Sequence, residues 1–176
     1  MTLTLAETKH QLARTPGMLR GLVGALPGAW LEVTEGPGTW SPIRVLRHLS
    51  WCEIDDWIPR ARLILEHQDR VAFTPFDRDG GEARYAGWSG AAMLDEFARL
   101  RAANLQTLDD LHLGDEHMDL PGTHPQLGSV TMRQLLSTWV CHDFAHMTQI
   151  SRTLARQYRD AVGPWREFLS VLKSGA

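Results

Sequence analysis

Helix punctuation recurs along this chain and leaves little room for a sheet. Thr131 and Gln134 form a capping box, a pair whose side chains satisfy unpaired N–H groups at a helix start. The helix it opens is expected to reach about Tyr158. Ser41-Pro42 supplies an N-cap and a first-turn proline for another, running to about His67, and Pro59 inside that span should kink or split it. Ser89 caps a third, Ala91 to about Leu111, with Leu94, Phe97, Leu100, Leu105 and Leu108 at helical spacing. Ahead of these, residues 3–26 read as a helix that Thr15-Pro16 can cap and restart and that Pro27-Gly28 ends. Gly163-Pro164 starts a short terminal helix through about Leu172. The stretches 35–38, 68–88 and 112–128 hold the remaining Gly and Pro clusters and read as irregular connections. Strand signals are nearly absent.

Four amphipathic helices bury their apolar stripes best against one another. The expected fold is therefore all-α: a four-helix bundle with a long crossover connection plus a short C-terminal helix. The crossover follows from the connection after the second helix, which at roughly twenty residues exceeds the usual spacing of bundle neighbours. A chain of 176 residues fits a single domain, 1–176, able to bury a full core. A formal net charge of −3 gives no reason to expect a nucleic-acid or anionic-membrane partner. The apolar runs are too short to span a bilayer, and the N-terminus lacks the basic and apolar regions of a signal peptide. A cytoplasmic location is the expectation, and Cys52 and Cys141 are then expected as free thiols.

His142 and His146 sit four residues apart in the last long helix, so their rings share a face. His48 lies in the second helix. If the two helices pack, three neutral imidazoles converge and leave coordination positions open, which is how catalytic zinc and similar divalent metals are held. At 100° per residue, Leu136, Val140, Phe144, Met147, Leu154 and Tyr158 form the apolar arc, with the two histidines at its margin. That position suits a site at the bundle mouth; it suits equally two amphipathic rings covering a hydrophobic seam. Asp143 points into the arc and needs a partner, either as a buried ion pair or cap, or as an acceptor that orients a metal-binding histidine, or as a general base. Cys52, one turn beyond His48, is a packed thiol or a fourth, soft ligand. Asp55 and Asp56 are solvated or cap the segment restarting at Pro59. Thr138 and Gln149 fall near the histidine face as hydrogen-bonding walls. His112, His117 and His124 crowd the last connection with Asp115, Glu116 and Asp119; their spacing matches no metal pattern and reads as a solvated loop.

The run Trp40-Ser41-Pro42-Ile43-Arg44-Val45-Leu46-Arg47-His48-Leu49 resembles the first histidine motif of the DinB-like superfamily, the DNA-damage-inducible group unrelated to the polymerase sharing that name. Gly128 through Tyr158, with Leu135-Leu136-Ser137-Thr138-Trp139-Val140-Cys141-His142-Asp143-Phe144-Ala145-His146, resembles its second. The segments 94–100 and 158–165 fit as well. The resemblance implies a crossover bundle, a divalent metal (zinc or nickel first) on His48, His142 and His146, and a homodimer. Characterised relatives include thiol-dependent transferases and isomerases that use low-molecular-weight thiols. Three neutral ligands leave a cation's full charge uncompensated, so a bound water or thiol loses its proton near neutral pH. A hydrolase or thiol-dependent transferase acting on a small molecule is the resulting expectation. The alternative is a non-catalytic, metal-stabilised dimeric bundle or stress-linked interaction module, its metal closed off by a fourth ligand such as Cys52.

Overall fold

The computed structural model describes residues 4–173. Its long helices are α1 (Leu5–Val23), α3 (Pro42–Asp55), α4 (Trp57–His67), α6 (Gly90–Asp110) and α8 (Met132–Arg156), with single-turn helices α2 (Gly28–Leu31), α5 (Gly80–Arg84) and α7 (Asp115–Met118) between them. The capping box at Thr131 is present, with the Gln134 N–H donating to Thr131 Oγ1 and the Thr131 N–H to Gln134 Oε1. Ser89 caps α6 by accepting from the Ala92 N–H. Ser41 takes the N-cap backbone conformation of α3, but its side chain makes no capping bond. The split expected near Pro59 falls at Asp56, so that Pro59 sits in the first turn of α4, where its missing N–H costs nothing.

Three elements differ from the sequence reading. Residue 3, the expected start of the first helix, lies outside the described residues; from Leu5 onward α1 runs unbroken through Pro16. A proline at 16 cannot donate to the Leu12 carbonyl, which ordinarily ends a helix. Here the Arg101 guanidinium donates to that carbonyl at 2.8 Å, so the orphaned acceptor is satisfied from a neighbouring helix. The short terminal helix expected from Gly163 to about Leu172 is present but wound as two 3₁₀ helices, Gly163–Phe168 and Ser170–Leu172. The connection before α8 holds a two-stranded antiparallel hairpin, β1 (Pro121–His124) and β2 (Gly128–Thr131), in a stretch read as loop. Gly128 closes its turn at φ +75°, a conformation that favours glycine.

The bundle has four corners: α1, α3 continuing into α4, α6 and α8. Helix α1 packs on α6 and α8, and α3 packs on the same two. The first and second corners in chain order are thus diagonal, as are the third and fourth. Residues 24–41 and 111–131 cross the bundle. The long connection 68–89, from whose length the crossover was expected, instead joins neighbours, and its residues wall the cavity described below.

Two apolar clusters fill the interior. Each helix passes from one to the other through a buried polar residue: Leu12, Thr15, Leu19 on α1; Leu108, Arg101, Phe97 on α6; Trp139, Asp143, Ile150 on α8. Glu53 of α3 completes this polar layer. Phe144 and Tyr158, expected in the apolar arc of α8, are about half exposed, because the arc that packs is centred on Leu136, Trp139, Asp143 and Ile150.

The hairpin is held against α4 and the long connection. The Phe73 N–H donates to the Thr123 carbonyl at 2.9 Å, and a Cβ at Gly122 would stand 2.8 Å from Ile64 Cγ1 and 3.0 Å from Phe73 Cζ. Gly122→Ala is therefore expected to destabilise the protein by about 1–3 kcal/mol, read as a lower urea midpoint. An unchanged midpoint would show that the hairpin does not pack this closely.

Candidate metal centre

His48 projects from α3, and His142 and His146 project one turn apart from α8. Their packing brings the three rings together. His142 Nε2 lies 3.2 Å from His48 Nε2 and 3.1 Å from His146 Nε2, and the three ligand atoms all fall within 4.8 Å of one another. Two nitrogens bound ~2.1 Å from one cation at angles of about 90–110° stand about 3.0–3.4 Å apart. Both short contacts of His142 have the spacing of nitrogens that share one divalent ion.

The hydrogen-bond chemistry agrees. His146 Nδ1 meets Gln149 Oε1 at 2.8 Å, and since a carboxamide oxygen only accepts, the ring proton sits on Nδ1. Its Nε2 lone pair therefore points at His142. The Nδ1 atom of His142 is buried without a protein partner, while the Arg78 backbone lies near enough to His48 to act on it as a hydrogen-bond acceptor. Inward-facing imidazole nitrogens at these distances repel unless protons or a cation lie between them.

The second proton that would charge each ring is disfavoured. Burial pushes the His48 imidazole down to about 4, helped by the nearby charges of His146, Arg78 and Arg44. Burial lowers His142 to about 2, with His146 and His48 adding to the effect. His146 is lowered by burial too, against the opposing pull of Gln149 and Asp143. The rings are neutral at physiological pH, as metal ligands must be. Aromatic walls cause this desolvation: Trp40 stacks on His146 at 5.9 Å and 3° and lies 4.9 Å from His48, while Trp57 meets His142 edge-on and Phe76 meets His48. The rings face a cavity of about 470 Å³ shared with Cys52, Asp56, Arg60, Arg78 and His124.

A family model described as the DinB superfamily matches residues 11–150, a span that contains all three histidines. The chain belongs to the DinB superfamily. No curated protein sequence matches it. Among solved structures, this DinB-superfamily chain is similar to YfiT from Bacillus subtilis, with 20% identity, a TM-score of 0.73, and coverage of 88% of this chain and 89% of that one. YfiT is described as a probable metal-dependent hydrolase with an unusual four-helix bundle topology. At that identity the likeness establishes the fold.

The other residues singled out in the sequence divide clearly. Asp143 is a buried ion-pair partner: it accepts from Arg101 at 2.7 and 3.0 Å and from Thr15 Oγ1 at 2.7 Å. Cys52 Sγ lies 3.5 Å from His48 Nε2, but burial and the carboxylates of Asp56, Glu53 and Asp143 push its thiol far up. Cys141 is exposed, and both cysteines are free. Asp55 is exposed, whereas Asp56 is buried and ion-paired with Arg60 at 2.8 Å. Gln149 holds His146, and Thr138 stands exposed on a side cleft. Among the described residues, His48, His142 and His146 are the one group of three His, Cys, Asp or Glu side chains placed to hold a metal.

Three participants escaped the sequence reading. Glu53 and Arg101 form a buried core pair, and Trp139 Nε1 and Asn104 Nδ2 also donate to Glu53. Arg101 lies in helical phase with Met93, Phe97 and Leu108, so a charge on a buried stripe was the available signal. His124, read as part of a solvated loop, ends β1 in the cavity wall. Its Nδ1 accepts the N–H groups of Gln126 and Leu127, each at 3.2 Å, which fixes the ring proton on Nε2.

Proposed function

We propose that this chain is a metal-dependent enzyme acting on a small molecule, with His48, His142 and His146 holding one divalent cation, zinc or nickel, through their Nε2 atoms. The convergence of those three atoms carries the reading. Held there by neutral ligands, a cation lowers the pKa of an incoming water or low-molecular-weight thiol to near neutrality.

The chain's own side chains supply the rest. Trp40, Trp57 and Phe76 keep bulk water from the rings. Gln149 fixes the His146 tautomer and orientation. The Asp56 carboxyl, raised to about 6 by burial against the opposing charge of Arg60, sits in the cavity wall with a pKa suited to taking up a proton near neutrality. The Nε2–H of His124 gives the same wall a neutral hydrogen-bond donor. A cavity of about 470 Å³ fits a small substrate rather than a polymer.

A closed structural site completed by Cys52 is less well supported, because ionising a thiol so strongly destabilised by burial and by three nearby carboxylates is costly. The resemblance that suggests the metal also suggests a homodimer as the working form. Metal-loaded protein assayed against low-molecular-weight thiols paired with electrophiles, with activated esters in parallel, tests the proposal. Expected is metal-dependent turnover in one arm, abolished in His146→Ala. Equal rates with metal-loaded, chelated and His146→Ala protein in every arm would overturn it.

A further inference from the structure

We propose that the small molecule entering this cavity carries a carboxylate, and that Arg78 receives it. The inference rests on the metal reading above and adds a substrate class to it.

The arginines around the cavity differ in what they hold. Arg60 is ion-paired with Asp56 at 2.8 Å, Arg44 with Asp79 at 3.0 Å, and Arg47 with Glu82 at 3.0 Å. Arg78 lines the cavity with the three histidines and has no carboxylate within ion-pair distance among the described residues. Its sequence neighbours do not neutralise it. Asp77 Oδ1 accepts the Asp79 N–H, the Asp77 carbonyl accepts the Trp51 Nε1–H, and the Asp79 carboxylate faces Arg44.

The position of Arg78 ties it to the site. Its guanidinium lies 5.7 Å from the centre of the Trp40 ring, and that ring stacks on His146. The Asp56–Arg60 pair cancels, so Arg78 is the positive charge in the cavity lining that no carboxylate offsets. A neutral substrate would leave that charge unused. A carboxylate offers the guanidinium fork a two-oxygen acceptor, orienting the reactive end of the molecule toward the histidines.

The test uses the full chain loaded with cobalt, titrated with three thiols that differ in charge: 3-mercaptopropionate, neutral 2-mercaptoethanol and cationic cysteamine. Sulfur-to-cobalt charge-transfer absorption reports binding. Each thiol is compared between wild type and variant, so its intrinsic affinity for metal cancels. Arg78→Ala is expected to weaken 3-mercaptopropionate about fivefold and to leave 2-mercaptoethanol unchanged. Arg78→Glu is expected to weaken it further and to tighten cysteamine, while Arg78→Lys retains most of the preference. Equal changes for the charged and neutral thiols would overturn the anion subsite while leaving the metal centre standing. A cobalt spectrum that no thiol perturbs would overturn this inference alone, whereas a chain that takes up no cobalt would remove the metal reading and this inference with it.

Discussion

Replacing Arg101 with leucine is expected to lower the free energy of unfolding by about 3–5 kcal/mol, and the midpoint of thermal unfolding by roughly 6–20 °C. The guanidinium is 1% exposed and serves three acceptors on three helices. It meets both oxygens of Glu53 at 2.8 and 3.1 Å, both of Asp143 at 3.0 and 2.7 Å, and the Leu12 carbonyl at 2.8 Å. Without it, two carboxylates remain in a layer enclosed by apolar clusters. Burial already raises the Glu53 carboxyl despite the opposing charge of Arg101. The carbonyl opposite Pro16 also becomes an orphan, since no backbone N–H can replace the lost donor. Arg101→Lys keeps one charge but cannot span the acceptors, and is expected to fall between wild type and leucine. Combining Arg101→Leu with Glu53→Gln should recover part of the loss by removing one stranded charge. A leucine variant within about 1 kcal/mol of wild type by urea unfolding would show that the polar layer is not the lock described.

Much of the fold was legible because helix ends carry local signals. Thr131 with Gln134 and Ser89 mark starts that depend on a few consecutive residues, and both caps form as the sequence implies. The shared face of His142 and His146 was legible for a related reason, since i,i+4 spacing fixes it whatever surrounds it, whereas His48 entered only on the condition that its helix packs against theirs. What escaped depends on partners distant in sequence. Pro16 reads as a break, and only Arg101, far along the chain on α6, keeps α1 continuous. In the hairpin strands, Pro-Gly-Thr-His and Gly-Ser-Val-Thr, proline, two glycines and serine offset the strand preference of valine and the two threonines. They pair because a three-residue turn closes them and because Gly122 lets them approach Ile64 and Phe73. The place of His124 in the cavity wall follows from that hairpin, so missing one meant missing the other. The path of the crossover was hidden likewise. Connection length suggests that a chain crosses the bundle, but which connection does so is decided by how α1 and α3 share the faces of α6 and α8.

Titration of the full chain with zinc or nickel is expected to end at one ion per chain and to raise stability by about 4 kcal/mol when free metal is a thousandfold above its dissociation constant. That corresponds to a thermal midpoint higher by roughly 8–16 °C for a chain of this size, fully reversed by chelation. His142 is the informative ring to remove, since its Nε2 makes both of the short contacts, 3.2 Å to His48 and 3.1 Å to His146. His142→Ala leaves two ligands and should lose the ion on dialysis. Its metal-free form should be at least as stable as metal-free wild type, apart from the volume lost beneath Trp57, because the facing nitrogens no longer crowd one another. That contrast separates a ligand from a packing residue, whose truncation lowers stability with or without metal. Gln149→Leu gives an intermediate case. It keeps all three rings but removes the acceptor that holds the His146 proton on Nδ1, and should weaken metal binding about 10- to 100-fold. If metal leaves the midpoint of wild type unmoved, or if the His142→Ala variant gains as much from metal as wild type does, the three histidines are a buried aromatic cluster and the chemistry must be sought elsewhere in the cavity.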